Sequence, residues 1–84
     1  MTTVDKQFAV VVAQQLRERR LAAGLSLDSL ATAAGLHRTS LGLVERGERH
    51  LTLASAKRLA DALGVPLWQL VQQVEASGAA STGE

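Results

Sequence analysis

Apolar residues recur at helical spacing in five runs, and glycines close most of them. In the first run Phe8, Val12 and Leu16 fall four residues apart, with Ala9, Val11 and Ala13 beside them. That stripe predicts a helix from about Asp5 to Ala23, stopped by Gly24. Ser26 opens the second run, because its hydroxyl can accept an orphan backbone N–H, and Asp28 suits the positive end of the same helix. Leu27, Leu30, Ala31 and Ala34 form the buried side, and Gly35 ends it. A helix this short is unstable alone and must dock on its neighbours. The third run starts at His37 or Arg38 and reaches Arg46, with Leu41 and Val44 inward and Gly47 as the stop. Thr52 caps the fourth, Leu53 to Leu63, whose inward stripe is Leu53, Ala56, Leu59, Ala60 and Leu63 before Gly64. Pro66 tolerates the start of a fifth helix, Leu67 to Glu75.

Composition agrees with this all-α reading. Hydrophobic residues are 46% of the 84, but only Phe8 and Trp68 are aromatic, so Leu, Val and Ala must build the core. No alternating β-branched run supports a sheet. Residues 1–75 are expected to form one domain, and the small, polar residues 76–84 a disordered tail. No cysteine is present, which excludes disulfides and thiolate metal sites. FAVVVA is too short for a signal segment, and no run approaches the roughly 20 apolar residues of a membrane span. A cytoplasmic protein is expected.

The formal net charge is only +1, so any basic footprint depends on how charges are arranged. The second and third helices are short and joined by AGLH, the spacing of a helix-turn-helix. Spacing alone favours an ordinary helical bundle, since many bundles have two short helices and a glycine turn. Arg38, Thr39 and Ser40 sharpen the picture: they occupy the first turn of the third helix, which reaches base edges in a docked helix-turn-helix. Arginine can donate two bonds to guanine O6 and N7, and threonine can touch a thymine methyl. The bland alternative is three solvated first-turn residues.

LRERRLAAGLSLDSLATAAGLHRTSLGLVERGER, followed by LTLASAKRLADALGV, resembles the Cro/repressor-type (XRE-type) helix-turn-helix family over about residues 12–71. The resemblance is carried by R-x-x-x-G-L-S from Arg20, A-x-x-x-G-L at Ala31–Leu36, E-R-G at Glu45–Gly47 and A-x-A-L-G-V at Ala60–Val65. Within the family, HRTS…ERGERHLT is similar to the controller proteins of restriction–modification systems. The resemblance implies a lambda-repressor-like domain of five helices that binds a palindromic operator in double-stranded DNA as a homodimer and regulates transcription. Carried over residue by residue, it implies base contacts from Arg38, Thr39 and Ser40, and backbone contacts from Arg46, Arg49 and His50. It also implies a structural salt bridge between Arg20 and Glu45.

Three positions depart from the family pattern. Leu27 stands where a glutamine often bonds a phosphate, although free N–H groups at that helix start, next to Ser26, can still face the backbone. Ser40 replaces a frequent tyrosine. Leu43 replaces a polar base reader, and either touches thymine methyls or packs. In the fifth helix Leu67, Leu70, Val71 and Val74 form an apolar stripe beside Trp68, more than a terminal helix needs, and are candidates for a dimer interface. A protein-interaction module, antitoxin-like and using that same face, is the rival reading. Neither histidine has paired metal spacing, and no nucleophile elbow or phosphate loop is present. No cofactor, metal, small-molecule ligand or enzymatic activity is expected.

Overall fold

The computed structural model describes residues 3–77, with side chains from Gln7 to Ala76. It contains five helices: α1 (Thr3–Ala22), α2 (Leu27–Ala34), α3 (Arg38–Glu45), α4 (Leu53–Leu63) and α5 (Leu67–Ser77). No strand occurs among the described residues. The expected fifth helix is thus two residues short at its end. Ala76 and Ser77, assigned to the tail, continue α5, and the remainder of the expected tail lies outside the described residues.

The helix starts follow from local chemistry. Ser26 Oγ accepts from Ser29 N at 3.0 Å, and Thr52 Oγ1 from Ser55 N at 3.0 Å. Each such cap contributes about 1 kcal/mol. The stops are equally local. Gly35 adopts φ 72°, a left-handed conformation that side chains other than glycine's enter at a cost. There the N–H of Leu36 returns to Ala31 O at 2.8 Å and closes α2.

These short helices are held by one shared core. Val12 and Leu16 from α1, Leu30, Ala31 and Ala34 from α2, and Leu41 from α3 meet Leu59 and Ala60 from α4. α4 lies chiefly along α2, while α1 crosses α3, α4 and α5. Arg19 Nη2 also donates to Gln73 Oε1 at 3.1 Å, joining α1 to α5.

Two expectations about apolar faces are corrected. Leu70 and Val74 are buried in the chain's own core, at 0% and 1% exposure, and are unavailable to a partner. Leu53, expected to point inward, is 78% exposed. It is the first residue of α4, on a turn that overhangs the core. There it edges an apolar groove with Phe8, Leu51, Leu67 and Val71. Of the α5 interface candidates, Leu67 and Val71 are half-buried and Trp68 is 66% exposed. No helix of the described residues is long and apolar enough to cross a membrane.

Candidate nucleic-acid interface

The orientation of α3 is set by an ion pair inside the domain. Arg20, near the end of α1, meets Glu45, the last residue of α3, through a two-pronged contact. Nε donates to Oε2 at 2.8 Å and Nη2 to Oε1 at 2.9 Å. Nη1 donates to the carbonyl of Leu25 at 2.8 Å, so the guanidinium also holds the α1–α2 turn. The side chains are 10% and 7% exposed. Arg17 approaches the same carboxylate from outside, at 3.7 Å. The Glu45 hydrogen bonds raise the Arg20 pKa above its ordinary value, outweighing the opposing effect of burial. Among the described residues no buried side-chain nitrogen or oxygen lacks a hydrogen-bond partner.

Fixing α3 at its carboxyl end and packing Leu41 and Val44 into the domain leaves its first turn outermost. Arg38 and Thr39 are exposed there, with Ser40 half-buried beside them. α3 starts at His37 with no side-chain cap and has no acidic residue in its first turn. Its positive end is therefore not offset by the chain's own groups, as it is at the Ser26 and Thr52 caps of α2 and α4.

The loop after α3 folds back toward this turn. Arg49 Nη1 donates to Ser40 Oγ at 2.8 Å. Ser40 and Arg49, assigned separately to base and backbone, thus form one unit. Periodicity gave no sign of it, because the link crosses an irregular loop. Arg46 is exposed and pairs with Glu48, Nε to Oε2 at 3.0 Å. His50 is exposed and shares a cleft with His37, Ser40 and Arg49. Ser26 is exposed, but its hydroxyl is engaged within α2, capping Ser29 N and bonding Ser29 Oγ at 3.0 Å. Leu43 is half-buried, which leaves part of its side chain for contact.

Comparison with known proteins gives this arrangement a family. A helix-turn-helix family profile matches residues 16–67, which spans α2, α3 and their supports. The chain belongs to the XRE-type helix-turn-helix family. It is 41% identical over 61 residues to the control protein C.SmaI of Serratia marcescens, covering 73% of each chain. It is 35% identical over 63 residues to the control protein C.BamHI of Bacillus amyloliquefaciens, covering 74% of this chain and 78% of that protein. Its fold is similar to that of the crystal structure of the restriction-modification controller protein C.AhdI from Aeromonas hydrophila. The TM-score is 0.69 at 44% identity, covering 74% of this chain and 94% of that one.

As a member of this family, the chain is a DNA-binding transcription regulator. In a docked helix-turn-helix the second helix of the motif lies in the major groove, and α3 holds that place in this fold, tied to α1 by the Arg20–Glu45 pair. Lys57 and Arg58, on α4, are exposed, and Lys57 is paired with Asp61 at 2.6 Å. That agrees with a solvated face. Among the described residues no three His, Asp or Glu side chains come together as a metal site would require.

Proposed function

We propose that the chain binds a two-fold symmetric operator as a homodimer, with α3 of each copy in the major groove. The observation that carries this reading is the uncapped, exposed first turn of α3, held outward by the buried Arg20–Glu45 clamp. Arg38 and Thr39 read base edges from that turn. Ser40 contributes by holding Arg49 against it. Arg46, Arg49 and His50 meet the backbone, which positions the helix without carrying sequence information. Ser26 assists through the start of α2, and Leu43 touches thymine methyls.

Likeness to C.SmaI, C.BamHI and C.AhdI supports a role in controlling transcription of a restriction–modification system. The control is by occupancy: a dimer seated near a promoter blocks or recruits polymerase, with protein concentration setting the response. Selecting bound sites from a random duplex library tests this directly. An inverted repeat with half-sites about one helical turn, roughly 34 Å, apart is expected. No enrichment, or a single unpaired half-site, contradicts it.

Two-fold pairing needs a self-complementary apolar surface. The groove edged by Phe8, Leu51, Leu53, Leu67 and Val71 supplies it, and Trp68, exposed on the same helix as Leu67 and Val71, is a further candidate contact. Leu53→Glu separates this use from folding. Leu53 is 78% exposed, and an acid in the first turn of α4 favours the helix. The variant is expected to keep its melting temperature, sediment as a monomer and bind its operator at least tenfold more weakly. A dimer that survives the change places the interface elsewhere. A wild-type chain that is monomeric alone and binds no duplex favours the interaction-module reading of the same groove.

A further inference from the structure

α1, α2, α3 and α4 each lead into a glycine of positive φ, Gly24, Gly35, Gly47 and Gly64. After three of these the next residue is apolar, and Leu25, Leu36 and Val65 pack against the core. The turn after α3 breaks the pattern. Gly47 is followed by Glu48, whose backbone N–H closes α3 by bonding Leu43 O at 2.8 Å. Its side chain turns to Arg46 instead of the core and accepts from Nε at 3.0 Å.

Arg46 also has a seat. Its side chain runs back along α3 over Gly42, so that a Cβ at position 42 would lie 3.4 Å from Arg46 Nη1. The same point is 3.9 Å from Leu27 Cδ1. The guanidinium therefore lies over the joint between α3 and the first residue of α2. Leu27 brings no hydrogen-bond donor to this joint. Arg46 does, and with Nε engaged by Glu48 its two Nη nitrogens carry the donors that suit a phosphate.

We infer that Glu48 is a positioning residue that holds Arg46 as a phosphate clamp at the α2–α3 joint, in the space that Gly42 leaves open. This rests on the DNA-binding reading above. Both side chains are 58% exposed, so the pair orients Arg46 modestly and the expected effects are several-fold. A glutamate beside a phosphate also repels it. Glu48→Gln removes that repulsion and keeps an acceptor for Nε, whereas Glu48→Ala removes both.

The test is the salt dependence of duplex binding by the full chain, with wild type, Arg46→Ala, Glu48→Gln, Glu48→Ala and the two double variants. Circular dichroism checks folding. Arg46→Ala is expected to reduce the steepness of log affinity against log salt by about 0.9 for each bound copy, so by about 1.8 for the dimer, equally on operator and random duplexes. Glu48→Ala is expected to bind about three- to tenfold more weakly than Glu48→Gln, given what exposed pairs contribute. That difference should vanish in the Arg46→Ala background. An unchanged slope in Arg46→Ala overturns the clamp, and Glu48→Ala binding as tightly as Glu48→Gln overturns the positioning role. A wild type that binds no duplex instead overturns the DNA reading beneath both.

Discussion

Replacing Glu45 by alanine should destabilise the domain by about 3–5 kcal/mol, the usual loss when a buried pair is broken from one side. The substitution strands the Arg20 guanidinium, which is 90% shielded in the sense that its side chain is only 10% exposed. Arg20→Ala should cost a similar amount, because it strands Glu45 and also leaves the Leu25 carbonyl without its 2.8 Å bond. The double substitution should cost less than the two single losses added together, since neither charge is then buried alone. For a domain of this size each kcal/mol moves the melting temperature by about 4–8 °C, so a thermal melt reads the effect directly. Additive losses would mean that the pair is not coupled. Arg17, 3.7 Å from the same carboxylate but half-exposed, should contribute far less.

Arg38→Ala should leave folding untouched and weaken operator binding by about 1–3 kcal/mol for each half-site, or roughly 5- to 150-fold per half-site. Arg38 is exposed at the start of α3 and contributes nothing to the core. The loss should fall at one base position in each half-site. The variant should tolerate any pair there while discriminating normally elsewhere. Competition binding with every single-base substitution of the operator measures this. Equal weakening on all sequences would reassign Arg38 to the backbone.

The parts of the fold legible in the sequence were those that local chemistry sets. Ser26 and Thr52 announced their caps, and Gly35 and Gly64 their stops, because a hydroxyl and a missing Cβ act within a turn of where they stand. The Arg20–Glu45 pair is 25 residues apart and has no local sign. Only the family resemblance pointed to it. Faces were harder. Leu53 shares the helical register of Ala56, Ala60 and Leu63, and an apolar stripe looks the same whether it meets its own core or a second chain. For the same reason the stripe offers Leu70 and Val74 to an interface, although α1 and its neighbours cover them. Ser40 and Arg49 escaped because side chains that meet across an irregular loop obey no period.

A net charge of +1 gave no hint of the basic surface for a related reason. Arg38, Arg46, Arg49, His37 and His50 all lie between the N-cap of α3 and the loop before α4. Acidic residues elsewhere in the chain balance them in the sum without standing among them, Glu45 and Glu48 excepted. Glu45 is withdrawn into the clamp, and Glu48 is bound to Arg46.

The central claim is that this surface binds duplex DNA through its phosphates while α3 reads bases. Equilibrium binding to duplex DNA across a range of salt concentrations tests it most directly. Affinity should fall steeply as salt rises, with a slope of about −0.9 for each phosphate neutralised. Two contacts per copy, from Arg46 and Arg49, should be counted in that slope. Affinity that stays flat across the same range would contradict the account.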